Sequence, residues 1–189
     1  MKIGYAVCAS FCTIARSFDV LGKLRSERSG DEFVPIISEN AARYDTRFGK
    51  GADVVRRAEE LCGRGAVLDI VGAEPLGPCE PLDALIICPC TGNTLAKLAC
   101  GITDTTVTMA AKAHLRSSRP LLIALATNDA MSANFKKIAM LSQKKNVYFV
   151  PMHRDDPGGK PFSLVADFSS IGSVLRDVLE GRYKNDLIV

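Results

Sequence analysis

The sequence predicts an α/β protein with three layers, in which a mostly parallel six-stranded sheet carries helices on both faces. Three observations predict it. Short apolar runs such as residues 2–8, 84–88 and 120–126 show little polar alternation, as expected of strands covered on both faces. Between such runs lie stretches with apolar residues at helical spacing, for example Ile14, Phe18, Leu21 and Leu24. The chain of 189 residues, 47% of them hydrophobic, is expected to form one domain over 1–189, because domains commonly run to ~100–200 residues and bury a full core at that size.

Residues 2–8 read as a short buried strand, 11–26 as an amphipathic helix and 33–38 as a second strand, which gives a β-α-β opening. Residues 50–62 form a second helical pattern, closed by Gly63, and 67–71 read as a third strand. The Pro- and Gly-rich segment 72–82 is expected to be a loop. Residues 84–88 are the fourth strand, 91–100 and 105–116 are helices, and 120–126 are the fifth strand. Helix over 130–143, strand over 147–150 and helix over 167–179 complete the pattern. Internal repeats and low-complexity segments are absent from the sequence.

Composition excludes several classes. Lys plus Arg total 24 and Asp plus Glu 21, and the basic residues are scattered, so nucleic acid is not an expected partner. The sequence has no tryptophan and only 6% aromatic residues, too few for base-stacking platforms. Seven cysteines, an odd number, include Cys8, Cys12, Cys62, Cys88, Cys90 and Cys100 in apolar or small-residue settings. That fits reduced intracellular thiols better than a disulfide framework. Cys88 and Cys90 stand one residue apart with no second pair or nearby His, so no metal site is expected. The opening MKIGYAVCASFCTIA is read as strand and helix rather than as an export signal, since Arg16 and Asp19 soon interrupt it. No run approaches the ~18 apolar residues of a membrane span, and no membrane association is expected.

In a parallel sheet, the loops at 9–12, 38–46, 89–94 and 127–131 follow strand ends on one edge and should converge. The stretch ALIICPCTGNTLAKLACG (84–101) is the most informative, because an apolar strand stops at Pro89 and a polar loop opens a helix there. Free N–H groups at such a helix start suit an anion, and Asn93 and Thr94 are placed to reach it. Ser10, Ser38, Thr91, Thr127, Asn128 and Asp129 add hydroxyl, amide and carboxylate groups of little bulk, beside Ala9. Two readings stand for the first loop: Ser10 caps the following helix, or Ala9 and Ser10 hold a phosphate. In the fourth-strand loop the alternatives are Thr91 as a cap with Lys97 solvated, or a ligand site, which the clustering of polar groups favours. The first loop has only Gly4, inside its strand, so the G-x-G-x-x-G spacing of a classical NAD site is missing.

Taken in order, these loops resemble the flavoprotein family that includes phosphopantothenoylcysteine decarboxylase, the lantibiotic cysteine decarboxylases and the flavin prenyltransferases. The residues that carry the likeness are Pro89, Cys90, Thr91, Gly92, Asn93, Thr94, Leu95, Ala96 and Lys97, a variant of the family's Pro, Ser-Ala-Asn-Thr, Ala-Lys signature. Ala126, Thr127, Asn128, Asp129, Ala130 and Met131 stand where the decarboxylases have Pro-Ala-Met-Asn. The resemblance implies a Rossmann-like fold, FMN as the possible cofactor, and assembly as trimers or dodecamers. It marks Ala9, Ser10, Ser38, Pro89, Thr91, Gly92, Asn93, Thr94, Thr127, Asn128 and Asp129 as the cofactor-binding set. PCTGNTLAKLACGITDT, LATNDAMSANFKKI and KNVYFVPMHRDDPGGKPFSLVAD are more similar to a narrower group, the B subunits of dipicolinate synthase, over nearly the whole chain. That likeness implies a cytoplasmic protein of the mother cell of a sporulating bacterium. It also implies a partner, the separate A subunit of dipicolinate synthase, which resembles nucleotide-binding dehydrogenases and carries NAD(P). Together the pair would oxidise a dihydrodipicolinate-type dicarboxylate to dipicolinate.

Departures from the decarboxylases bear on mechanism. The family's decarboxylases carry a His just before the fourth strand, where this sequence reads EPLGPCEPLD, and a Cys on a flap, where nothing beyond Cys100 is a Cys. Decarboxylation of a cysteinyl substrate is therefore disfavoured. The segment HRDDPGGK (153–160) is the candidate flap: Gly158 and Gly159 permit unusual backbone angles, and Arg154 and Lys160 suit the two carboxylates of a dicarboxylic ring. The alternative is an exposed charged turn. His153 is a possible acid or base, His114 reads as a helix-surface residue, and no catalytic residue is assigned. Three roles remain open: a component of an NAD(P)-dependent oxidoreductase inactive or weakly active alone, a free-standing FMN-dependent decarboxylase or prenyltransferase, or a non-catalytic assembly component.

Overall fold

The structure is a computed structural model that describes residues 1–185 and 187. Strands β1 (Lys2–Val7), β2 (Glu32–Ile37), β3 (Ala84–Cys90), β4 (Leu121–Thr127) and β5 (Val147–Phe149) run parallel, with β1 between β2 and β3, and β4 between β3 and β5. The chain leaves β1 for β2 on one side and returns to β3 on the other, so the strand order reverses at β1 and β3. The carboxyl ends of strands at such a reversal form the usual crevice of an open α/β sheet.

Helix α1 (Phe11–Glu27) packs on α3 (Gly51–Cys62) and on the turn at Phe168–Ser170 that leads into α8 (Ile171–Leu179). A second group joins α4 (Ile70–Ala73), α5 (Gly92–Cys100), α6 (Thr106–Leu115) and α7 (Phe135–Ser142), with α6 against α4 and α5, and α5 against α7. Both groups touch the sheet, which accounts for the apolar runs: Ile86, Ile87, Leu122, Ile123 and Ala124 are fully buried. Removing such a side chain down to Ala costs about 2–5 kcal/mol. Polar links inside this core join α1 to the sheet, the Tyr5 hydroxyl donating to Ser17 O at 2.8 Å and the Ser17 hydroxyl to Cys88 O at 2.6 Å.

Several expectations need correction. The sheet has seven strands among the described residues, where six were expected. Residues 67–71 are not one of them, since Val67 makes a single bridge to Ile36 and the chain then turns into α4. Asp69 causes that turn by accepting a hydrogen bond from Gly72 N at 2.8 Å, so the 72–82 segment begins in helix, continued by a 3-10 turn at Glu74–Leu76. The unforeseen strands are β6 (Met152–His153) and β7 (Leu164–Ala166), paired antiparallel to each other. Strand β7 also pairs antiparallel with Ala126 and Thr127, whereas Leu121, Leu122 and Ile123 pair with β5, so two strands share the outer edge of β4. Residues 129–134 are turns rather than the start of a helix over 130–143, held by Asn134 N to Asp129 O at 3.1 Å. His114 is fully buried rather than on the surface, with Nε2 2.8 Å from Pro120 O and Nδ1 without a partner among the described residues. Helix α2 (Glu39–Arg43), one turn after β2, was not expected either.

Candidate functional site

The loops after β1 and β3 are tied together at the reversal point, where Cys8 N donates to Pro89 O at 3.1 Å. Behind them the buried thiols of Cys8 and Cys90 interact, and that contact pulls the Cys8 thiol down and pushes Cys90 up. Ala9 and Ser10 lie half-buried on the rim. Ser10 takes the N-cap position of α1 but caps no backbone N–H; its Oγ accepts from Thr13 Oγ1 at 2.9 Å. The first turn of this 17-residue helix therefore offers its amides without a competing side-chain oxygen.

The neighbouring helix starts are different. Thr91 Oγ1 accepts from Thr94 N at 3.2 Å and donates to Thr94 Oγ1 at 3.1 Å, so the capping reading holds for Thr91. Thr105 and Thr108 form a reciprocal capping box on α6, and Glu39 Oε1 accepts from Thr106 N at 2.7 Å and Thr106 Oγ1 at 2.8 Å. Ser38 caps α2 through Ala41 N at 3.3 Å. Carboxylate or hydroxyl oxygens thus occupy the starts of α2, α5 and α6, whereas no side-chain oxygen caps the start of α1. Lys97 is not simply solvated, since it pairs with Asp104 at 2.8 Å.

The loop after β4 reaches across to α5. Asp129 Oδ1 accepts from Thr127 Oγ1 at 2.5 Å and from Asn134 Nδ2 at 2.7 Å. A Cβ on Gly92 would stand 2.5 Å from Asn134 Nδ2, 2.6 Å from Thr127 Oγ1 and 3.0 Å from Asp129 Oδ1, so only glycine lets these loops meet. The Thr127 hydroxyl, followed by the Asn134 amide, holds the Asp129 carboxyl below its usual range against the opposing effect of burial. Asn134, only 4% exposed, was missed by the sequence reading; its one signal was Gly92, whose missing side chain makes room for it. Asn93 and Asn128 are exposed and make no side-chain hydrogen bond among the described residues.

The 153–160 segment joins the same loop at its root, through Met131 N to Phe162 O at 3.0 Å and Ser163 Oγ to Thr127 O at 3.3 Å. Its tip differs from expectation. Neither Gly158 nor Gly159 takes a positive φ, and Gly159 instead follows Asp156 closely, donating to Asp156 Oδ1 at 2.9 Å. Lys160 pairs with Asp155 at 3.3 Å, whereas Arg154 is exposed and has no partner among the described residues. His153 lies half-buried in β6. A cleft of about 330 Å³ begins at Phe11, beside Ser10, and runs between α1 and α3 under Tyr44 and Phe48. Asn93 and Asp129 do not line it. Among the described residues no three His, Cys, Asp or Glu side chains are grouped to hold a metal ion, and no helix is long and apolar enough to cross a membrane.

The Flavoprotein family matches residues 1–175. The B subunit of dipicolinate synthase from Bacillus subtilis (strain 168) is 39% identical over 188 residues, which span 100% of this chain and 93% of that protein. The crystal structure of the dipicolinate synthase B subunit from Bacillus halodurans superposes with a TM-score of 0.88 at 32% identity, over 100% of this chain and 95% of that one. The FMN-dependent cysteine decarboxylase SpaF has the same fold, with a TM-score of 0.67 at 23% identity over 94% of this chain and 96% of its own.

Proposed function

The chain belongs to the flavoprotein family, and on that premise we propose that it serves as the B subunit of a dipicolinate synthase. In this role it works with a nucleotide-binding A subunit, which carries NAD(P), to oxidise a dihydrodipicolinate-type intermediate to dipicolinate in the mother cell of a sporulating bacterium. One observation carries the reading: similarity to a dipicolinate synthase B subunit extends over 100% of the chain at 39% identity. The absence of the decarboxylases' His and flap Cys also argues against cysteinyl decarboxylation by the isolated chain.

The residues present fit FMN. The uncapped start of α1 beside Ser10 suits its phosphate, and Ser38 at the end of β2 stands near enough in the fold to assist. Asn93, exposed and unbonded at the start of α5, suits the polar edge of a flat ring, with Pro89, Thr91, Gly92 and Thr94 shaping the rim under it. Bound there, FMN supplies a two-electron hydride acceptor. Arg154 has its guanidinium free for one substrate carboxylate; Lys160 would have to leave Asp155 to take the other. Assembly as a trimer or a dodecamer, which the family likeness implies, would let a neighbouring copy complete the site.

The test is dipicolinate formation measured with the two subunits separately and then combined, beside a flavin fluorescence titration of this chain. Turnover only in the mixture is expected, and turnover by this chain alone would refute the division of labour. Asn93→Ala should abolish ligand binding and leave thermal unfolding unchanged, because the exposed amide contributes recognition rather than packing. An unchanged titration by that variant would remove Asn93 from the site.

A further inference from the structure

Asp129 differs from the other polar groups on the rim in being fixed from behind. Both side-chain donors to its carboxylate reach Oδ1, Thr127 Oγ1 at 2.5 Å and Asn134 Nδ2 at 2.7 Å, and its own backbone N–H also favours the ionised form. Asn134 is buried and Gly92 lies against the same oxygen, so two donors hold that oxygen in place. No other side chain donates to Oδ2 among the described residues, and the Asp129 side chain is part-exposed in the loop that meets Gly92. Lys137, the nearby cation that acts on Asp129, has its Nζ bonded to Ala133 O and does not cover it.

A carboxylate held this way is a poor phosphate neighbour and a strong acceptor. We infer that Asp129 Oδ2 is the specificity-determining acceptor of the site, receiving a hydrogen bond from a ring N–H of a flat nitrogen heterocycle. The inference rests on the proposed function for its two candidate sources of that N–H, the imide of a flavin ring and the ring nitrogen of a dihydropyridine dicarboxylate in its 1,2- or 1,4-dihydro form, the forms that carry a ring N–H. The Thr127 and Asn134 donors keep Asp129 ionised at neutral pH, which suits a permanent acceptor and not a proton-transfer base, whose pKa should lie near the working pH. Thr127 and Asn134 are then positioning residues, acting through Asp129.

Asp129→Asn decides the matter, because the amide keeps the shape and an oxygen for Thr127 and Asn134 but offers N–H where Oδ2 accepted. Wild type and variant are titrated with FMN and with 3-methyl-FMN, which lacks the imide N–H, and assayed with the A subunit for the KM of the dihydropyridine dicarboxylate. If the flavin is the source, the variant loses about 10- to 100-fold in FMN affinity, and wild type discriminates against 3-methyl-FMN where the variant does not. If the substrate is the source, FMN binding is unchanged and KM rises by a similar factor. Thr127→Val, which keeps the carboxylate and frees it to turn, should show the same loss in smaller measure. Equal behaviour of wild type and Asp129→Asn in both assays overturns the inference and leaves the proposed function standing. A wild type that neither binds FMN nor supports turnover with the A subunit overturns the proposed function, and the inference with it.

Discussion

Substituting Ala for Gly92 sets two effects of opposite sign against each other. Glycine to alanine in a helix ordinarily stabilises by up to about 1 kcal/mol, and by less at a first helical position such as this one. Here the new Cβ would lie 2.5, 2.6 and 3.0 Å from Asn134 Nδ2, Thr127 Oγ1 and Asp129 Oδ1. Overpacking of that kind costs about 1–3 kcal/mol, and relief by moving the cluster gives up a hydrogen bond to a charged acceptor, worth about 1.5–3 kcal/mol. The clash wins, leaving a net loss of about 1–2 kcal/mol. For a chain of this length, each kcal/mol lowers Tm by about 2–4 °C, so thermal unfolding followed by circular dichroism should fall by about 2–8 °C. The same variant should weaken whatever Asp129 holds. An unchanged or raised Tm would refute the close meeting of the β3 and β4 loops on which the site depends.

Burial holds the His114 imidazole pKa below 6.5, so below that pH the unfolded chain takes up a proton that the native chain refuses. Stability should therefore be whole above about pH 6.5 and fall as pH drops toward the folded pKa, by at most about 1.4 kcal/mol per pH unit, and denaturant unfolding of His114→Gln should lack this slope. Burial also pushes the Cys62 thiol to about 11 and Cys88 to about 12, and Cys8 and Cys90 are enclosed, whereas Cys12, Cys79 and Cys100 are exposed. An aromatic disulfide reagent should titrate those three quickly in the native protein and the other four only on unfolding; a fourth fast thiol would contradict the packing of the strand ends.

The parallel strands were legible because their burial on both faces leaves continuous apolar runs, and the helix ends because Gly63 and Gly101 take the left-handed φ that such endings require. Strands β6 and β7 were not legible: each spans three residues or fewer, and their pairing with the end of β4 is fixed by tertiary contact rather than by local pattern. Residues 67–71 mimic a strand in composition, and a single Asp69 cap diverts them into helix. His114 misled because alanines surround it on α6, leaving no polar face from which to judge its side. In the site, the converging loops followed from strand order, and Asn93 and Asp129 from their position after strands. What sequence could not convey was which polar groups the protein itself consumes. Thr91 and Ser38 spend their oxygens on helix caps and Thr127 spends its hydroxyl on Asp129, whereas Ser10, equally suited by type to cap a helix, accepts only from the Thr13 hydroxyl and caps no backbone N–H.

That difference orients the ligand and can be tested by erasing it. Ser10→Asp would place at the start of α1 the kind of carboxylate that Glu39 already presents to Thr106 at the start of α6. Charge–dipole attraction, and capping of first-turn amides that no side chain now caps, should then stabilise the chain by about 0.5–1 kcal/mol. The same carboxylate would occupy the amides that a phosphate needs and repel it, so FMN binding should be lost while riboflavin, which has no phosphate, is little affected. Stability and binding are thus expected to move in opposite directions in one variant. Misfolding cannot produce that combination, since it would lower both. A variant that gains stability and keeps its affinity for FMN would place the phosphate elsewhere and leave Asp129 without a ring end of the ligand to face.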